Sequence, residues 1–240
     1  MRSPEIAEFR HSNGIDEMFP RVLEVEVMDT VAEACDYDRM DHRSVNALFV
    51  GDLRAAVGRS LAGESWLDVG TGTAQIPIEL AQQEEGVRIV GIDLAREMLR
   101  LGEQNIAAAG FQDRIALQWV DAKQMPFASG QFRGVMSNSI VHHIPEPLQV
   151  LREMVRVLQP GGWLFVRDLL RPRSETERQQ LVAQHAAGAN AHQRQMFSDS
   201  LGAALTLEEV ADLLIGCGLP ARWVQQTSDR HWTVCGQLAE

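Results

Sequence analysis

Short apolar runs alternate with amphipathic stretches through the middle of this chain. The apolar runs have the length of buried strands, and the stretches between them carry apolar residues at helical spacing. This alternation predicts right-handed strand–helix–strand crossovers and a parallel sheet covered by helices on both faces. The predicted strands are 66–69, 87–92, 115–120, 133–137 and 163–167, and the predicted helices between them are 73–83, 95–109 and 147–158.

The two ends of the chain follow different patterns. Residues 15–61 are predicted to be helical, with one apolar stripe at Val22, Leu23, Val25 and Met28 and another at Val45, Leu48, Phe49, Leu53 and Val57. A polar break at 36–42 separates the stripes. After residue 172 we expect a helix at 174–187, a loop at 188–197, a helix at 206–215 and an antiparallel pair at 221–226 and 231–237.

Composition and charge narrow the possible partners. The net charge of −11 argues against a nucleic-acid or anionic-membrane surface, because both need a basic patch. Cys35, Cys217 and Cys235 are few and widely spaced, which predicts reduced thiols and no zinc pattern. The sequence has no apolar run of the roughly 20 residues that a membrane span needs, and Met1–Glu5 lacks a signal-peptide core. We therefore expect a soluble, cytoplasmic protein with no membrane partner.

A glycine-rich turn follows the first predicted strand. Asp68-Val69-Gly70-Thr71-Gly72 leads into a helix, and Asp93 ends the next strand, 25 residues after Asp68. Glycines let a backbone pass close to a ligand, and an acid at a strand end can hold a ribose diol. A dinucleotide site would need a third glycine where Gln75 stands. The pattern therefore predicts a different nucleoside ligand.

Across residues 65–168 the chain resembles the class I S-adenosylmethionine-dependent methyltransferases. Asp68-x-Gly70-x-Gly72-x-Ala74, Asp93, Asp121-Ala122, Ser137-Asn138-Ser139 and the turn at 158–162 match family motifs in register. Ala74 replaces the usual third glycine, a mild departure if only close packing is needed there. The resemblance implies an α/β fold, a doubly wound, Rossmann-like, seven-stranded and mostly parallel sheet. It also implies a helical lid at 1–62 and a catalytic domain at 63–240, with an acceptor-lid insertion at about 170–205.

The resemblance implies S-adenosylmethionine as the cofactor. Asp93 would hold the ribose, Asp121 would face the adenine amine, and Asn138 would line the sulfonium end. Asp68 could instead be a structural acid of the turn. The expected cofactor-binding residues are Tyr37, Asp68, Gly70, Thr71, Gly72, Asp93, Leu94, Met98, Asp121, Ala122 and Asn138.

The acceptor side is less defined by motifs. His143 and Asp168 are the expected catalytic residues, although His142-His143 could instead cap a helix or pack under the cofactor. Arg171, Asn190 and Arg194 are the expected substrate-binding residues; the alternatives are an Asp168–Arg171 structural pair and an exposed loop. We expect no metal site, since adjacent histidines point apart and no cysteine or third histidine has ligand spacing to them.

Three functions are consistent with these motifs. The leading one is in-line methyl transfer from S-adenosylmethionine to a small molecule. The second is methylation of RNA or a protein, although the chain lacks the basic groove expected of an RNA enzyme. The third is cofactor binding without methylation, since fold does not fix function. The acceptor and the oligomeric state stay open.

Overall fold

The structure, a computed structural model, describes residues 19–24, 29–40 and 42–240. Its strands are β1 (Ser65–Val69), β2 (Arg88–Asp93), β3 (Ile115–Trp119), β4 (Phe132–Asn138), β5 (Leu158–Leu169), β6 (Val224–Gln226) and β7 (His231–Gln237). They form one seven-stranded sheet in the order β3-β2-β1-β4-β5-β7-β6. β1 to β5 pair in parallel, and β7 is antiparallel to both β5 and β6.

Helices cover both faces of this sheet. They are α1 (Val31–Asp38), α2 (Arg43–Val57), α3 (Gln75–Gln83), α4 (Arg96–Ala109), α5 (Pro147–Val157), α6 (Glu175–His185), α7 (Ala191–Ala203) and α8 (Leu207–Gly216). Buried residues of α2, α3 and α4 form one core, and those of α5 and α8 form the other. The prediction of a doubly wound, mostly parallel α/β fold is confirmed. None of the helices that the structure describes is long and apolar enough to cross a membrane.

The turn into α3 differs from the expectation for Ala74. This residue caps α3 with φ +62°, in the left-handed region, where a Cβ costs roughly 1 kcal/mol. Replacing the family's glycine at this position is therefore not only a matter of packing. Pro77 lies in the first turn of α3, where its missing N–H leaves no helical hydrogen bond unmade.

The N-terminal segment corrects two predictions. Val22 and Leu23 do not lie on a helix: they are in a segment without regular secondary structure and are 60% and 51% exposed. Val25 and Met28, like residues 15–18, lie outside the described residues. The expected polar break at 36–42 is partly helical, because Thr30 and Glu33 form a capping box that starts α1.

The second predicted stripe forms α2, but this helix belongs to the core. Phe49, Val50 and Leu53 are fully buried against Trp66 and the neighbouring helix α3. Residues 43–57 are thus part of a layer of the sheet domain, although the expected boundary at residue 62 placed them in a lid. Helix α1 packs on α4 beside the carboxyl ends of the strands.

The expected loop at 188–197 is mostly helix. Asn190 and Gln193 form a reciprocal capping box, and α7 continues from there to Ala203. The polar residues that suggested a loop lie on the exposed side of α7. Leu201 of this helix packs against Leu169 and Leu181. The antiparallel C-terminal pair is confirmed, with β7 at the predicted residues and β6 shortened to its last three.

Candidate active site

A cleft opens where the strand order of the sheet reverses, between β1 and β4. Helices that follow these two strands pass to opposite faces, so the carboxyl ends of the strands are left uncovered, and ligands bind at such points in open α/β sheets. The lining residues come from α1 and from the segments after β1 to β4. They are Tyr37, Gly70, Gly72, Ile92, Asp93, Leu94, Ala95, Met98, Val120, Asp121, Ala122, Lys123, Asn138, Ser139, Ile140, His143 and Ile144.

The floor of the cleft is the glycine turn after β1. Gly70 has φ +74°, and a Cβ built there would lie 2.5 Å from Cγ2 of Ile140. Gly72 has φ +53°, and its Cβ would point toward Tyr37, 3.7 Å from Cε1. Both the left-handed backbone and the close approach of Ile140 therefore require glycine at position 70.

Asp93, the last residue of β2, and Asp121, two residues after β3, line the cleft. Asp93 accepts hydrogen bonds from the backbone N–H groups of Gly72 (2.8 Å) and Ala95 (2.9 Å), which link the first two strand ends. Burial raises the pKa of Asp93, although these backbone donors oppose the rise. Each carboxylate oxygen keeps a second lone pair that can accept from a ligand hydroxyl. Asp121 accepts from the backbone of Lys123 at 2.9 Å.

Asp68 and Thr71, two other predicted cofactor contacts, lie behind the cleft wall. Both side chains are buried, and neither belongs to the lining set. Burial raises the pKa of the Asp68 carboxyl to about 7, and Thr71 and Asp93 are its nearest electrostatic neighbours. This position agrees with the alternative that Asp68 is a structural acid of the turn.

Tyr37 closes one side of the cleft from α1. Burial, followed by the nearby carboxylates of Asp93, Asp68 and Asp38, raises the pKa of its phenol to about 12. The hydroxyl therefore stays protonated and can donate a hydrogen bond into the cleft.

The end of β4 supplies a polar atom that lacks a partner. Oδ1 of Asn138 is buried, and no hydrogen-bond donor reaches it among the described residues. Ser139 follows with φ +58°, an uncommon conformation for a residue with a Cβ. Strained backbone of this kind concentrates at functional sites, and an unpartnered acceptor on a residue that lines the cleft can accept from a ligand donor.

The two predicted catalytic residues separate in the structure. His143 lines the cleft, whereas Asp168 is fully buried and contacts the turn at 141–143 from below. Asp168 accepts from the backbone N–H of Val141 (2.6 Å), and its other oxygen lies 2.5 Å from Nδ1 of His142. Asp168 was expected to face the acceptor; its contacts make it a residue that positions the His142-His143 turn.

The carboxylate of Asp168 also affects the protonation of the buried His142. Burial by itself would lower the pKa of His142, but Asp168 outweighs this effect and raises it. The reverse holds for Asp168, whose pKa is lowered by His142 despite burial.

The three predicted substrate-binding residues are not brought to the cleft. Arg171 is buried and donates to Glu209 at 2.6 Å, so the expected structural pair has Glu209 and not Asp168 as its acid. Asn190 caps α7, and Arg194 donates to the carbonyl oxygens of Ala187 and Ala189. Their polar groups serve local backbone structure because the predicted loop is a helix start.

Comparisons with known proteins agree with this geometry. The profile of a methyltransferase domain matches residues 67–166. Demethylmenaquinone methyltransferase of Porphyromonas gingivalis is 30% identical over 172 residues, covering 68% of this chain and 70% of that protein. The chain belongs to the class I S-adenosylmethionine-dependent methyltransferases. The predicted family, and with it the cofactor, is confirmed.

A shorter match and a solved structure extend the comparison. The ubiquinone/menaquinone biosynthesis C-methyltransferase of Geotalea daltonii is 36% identical over 108 residues, 45% of this chain and 46% of that protein. The chain thus spans about half the length of this relative. A methyltransferase structure from Aquifex aeolicus superposes with a TM-score of 0.66 at 16% identity, covering 88% of this chain and 100% of that one. This likeness supports the fold.

The residues of the cleft fit S-adenosylmethionine. The glycine floor leaves room for a ligand against the backbone, and the unpartnered Oδ1 of Asn138 can accept from a polar hydrogen of the cofactor. Lone pairs of Asp93 are available for hydroxyl groups. When bound, the cofactor supplies a methyl group on a sulfonium that is already an activated leaving group.

Sequence reasoning missed several residues near this cleft. Lys123, Ile140 and Ile144 line it, and Glu24 contacts the histidine turn from the N-terminal segment. Ile140 could have been expected from its position directly after a matched motif. Glu24 carries no such signal, because more than 100 residues separate it from the histidines that it contacts.

Proposed function

We propose that this chain transfers a methyl group from S-adenosylmethionine to a small-molecule acceptor. The observation that supports it is the convergence of a glycine floor and strand-end polar groups on one cleft at the sheet's reversal point. The names of both relatives point to small quinone-type acceptors. A net charge of −11 also favours a small molecule over a nucleic acid.

In this proposal the chain's own residues bind and orient the cofactor. Gly70 and Gly72 form the floor, Asp93 accepts from the ribose, and Tyr37 donates from the α1 side. Leu94, Met98, Asp121, Ala122 and Asn138 complete the proposed contacts. Holding donor and acceptor in line can contribute several kcal/mol, roughly 7 or more in favourable cases.

His143 is the residue that we assign to the acceptor side. It is the predicted catalytic residue that reaches the cleft, and Nδ1 lies 3.0 Å from a carboxylate oxygen of Glu24. A proton on Nδ1 would leave the lone pair of Nε2 available to the acceptor. Asp168 keeps the turn in place through Val141 and His142 and is assigned a positioning role. Residues 170–205 remain the proposed acceptor lid.

The first test measures cofactor binding by calorimetry with S-adenosylhomocysteine. Asp93→Asn should weaken binding at least about tenfold, because each lost charge-assisted hydrogen bond contributes roughly 1.5–3 kcal/mol. Asp113→Asn, in the loop before β3, is the matched control and should leave affinity unchanged. Equal affinity of Asp93→Asn and the unsubstituted chain would mean that the cleft is misassigned.

The second test separates the three functions. The protein is incubated with methyl-labelled cofactor and, in turn, a metabolite extract, total RNA and a protein mixture. Label in the small-molecule fraction supports the proposal, and label in RNA or protein would overturn it in favour of a macromolecular acceptor. Cofactor binding with no transfer to any fraction would favour a binding protein without methyltransferase activity.

A further inference from the structure

Glu24, His142 and His143 bring three potential metal-ligand atoms together beside the cleft. Oε1 of Glu24 lies 3.4 Å from Nε2 of His142 and 3.0 Å from Nδ1 of His143. All three ligand atoms lie within 4.8 Å of one another, the one such group of histidine, cysteine or acidic residues among the described positions. The expectation that adjacent histidines point apart is wrong here, because the tight turn at 141–143 stacks their rings with centroids 4.1 Å apart.

The two separations from Glu24 are close to those of ligands around one metal ion. Imidazole nitrogen and carboxylate oxygen bind Zn²⁺ at about 2.0–2.2 Å, which places two tetrahedral ligands roughly 3.4 Å apart. Two imidazoles and one carboxylate are a ligand set used for divalent first-row metals. An ordinary hydrogen-bonded cluster would also explain the shortest contact, so the surroundings of the ligands decide between the two interpretations.

A second carboxylate supports the metal interpretation. Oδ1 of Asp168 lies 2.5 Å from Nδ1 of His142, the ring nitrogen that does not face Glu24. Metal-binding histidines characteristically donate their other N–H to a carboxylate, which fixes the tautomer and the ring orientation. Asp168 is fully buried and also accepts from the backbone of the same turn, so the ring of His142 is held before any ion binds.

Glu24 is equally well fixed. Arg21 donates to the carbonyl oxygens of His142 (3.1 Å), Ile144 (3.0 Å) and Ala203 (2.7 Å), which ties the segment around Glu24 to the histidine turn and to the end of α7. The hydroxyl of Ser200 donates to Glu24 at 3.1 Å. The three ligands thus come from the segment around Glu24 and from the histidine turn, and the contacts of Arg21 and Glu24 hold these two parts of the chain together.

We propose that Glu24, His142 and His143 bind one divalent first-row transition-metal ion, with Zn²⁺ as the expected occupant, and that Asp168 positions His142 for it. Binding uses one lone pair from each ligand atom, so a proton carried by Nε2 of His142 leaves to solvent and a proton on Nδ1 of His143 moves to Nε2. Nδ1 of His143 would then hold the ion and leave Nε2–H as a donor. The ion would thereby change His143 from a hydrogen-bond acceptor to a donor at the cleft wall.

The test measures metal binding to the full, untagged chain after removal of metals with a chelator. Zn²⁺ is titrated by calorimetry, and Co²⁺ is titrated by its visible absorption, which reports the coordination geometry. We expect one ion per chain. His143→Asn and Glu24→Gln should each weaken binding more than tenfold, and Asp168→Asn should weaken it by about 10–100-fold through the misplaced His142. No cofactor is added, so the result does not depend on methyl transfer.

His185→Asn is the matched control. His185 also lies 2.6 Å from an aspartate, Asp229, but the pair is on α6 and the β6–β7 connection, where Arg230 contacts it as well. Its loss should leave metal binding unchanged. Circular dichroism and urea denaturation verify that each variant folds, and the partly exposed His143 offers a variant that spares the buried core. The proposal is overturned if the unsubstituted chain fails to bind one ion. It is also overturned if folded His143→Asn and Glu24→Gln bind the ion as tightly as the unsubstituted chain does.

Discussion

The buried carboxyl of Asp68 allows a quantitative test of its structural role. Its pKa of about 7 lies about three units above the ordinary value of 3.8, and burial is the main cause. At 1.36 kcal/mol per unit, the carboxyl contributes about 4 kcal/mol of stability when protonated. Because the folded state binds the proton more tightly than the unfolded state, this contribution is present at low pH and is lost as pH rises through 7. Roughly 3 kcal/mol of it is lost between about pH 5 and 8.5.

Asp68→Asn removes this titration while keeping the size of the side chain. The free energy of unfolding is measured by urea denaturation without cofactor. Between about pH 5 and 8.5 it should decrease by about 3 kcal/mol less in the variant than in the unsubstituted chain. Any constant offset from the new amide cancels in this comparison.

Glu84→Gln is a control with the opposite sign. Contacts with Arg54 and the backbone of Leu61 lower the pKa of Glu84 against the effect of burial, so its contribution is lost as pH falls. Parallel pH profiles for Asp68→Asn and the unsubstituted chain would refute the assignment of Asp68 as a buried carboxyl that is protonated below neutral pH.

Three further substitutions test the site and its supports. Gly70→Ala should lower stability by about 2 kcal/mol and weaken S-adenosylhomocysteine binding, because Gly70 has φ +74° and a Cβ at this position would clash with Ile140. The control Gly51→Ala, in open space on α2, should not lower stability. Glu209→Gln should cost about 2 kcal/mol by leaving buried Arg171 without its carboxylate, whereas exposed Glu208→Gln should be neutral in urea denaturation. Asn190→Ala should cost about 1 kcal/mol through loss of the α7 cap without changing methyl transfer; reduced transfer with intact stability would restore its substrate role.

Local sequence patterns were enough to predict the strands and helices in the central part of the fold. Strands β1 to β4 and helices α3 to α5 lie within a few residues of their predicted positions, because their apolar periodicity is also their burial pattern. A prediction failed where a side chain that suggests a loop instead caps a helix, as Asn190 does for α7. Val22 and Leu23 were predicted to lie on a helix and do not, because apolar spacing alone does not show whether the residues have a protein surface to pack against.

The sequence by itself determined the nucleoside cleft. Gly70, Gly72, Asp93 and Asp121 each lie at the end of a strand or within three residues after it, and parallel strands bring their carboxyl ends to one edge without further information. Only the tertiary structure decided the acceptor side: it buried Asp168 beneath the histidine turn, paired Arg171 with Glu209, and brought Glu24 to His142 and His143. Contacts between residues so distant in the chain depend on how layers pack, and no local spacing encodes that packing.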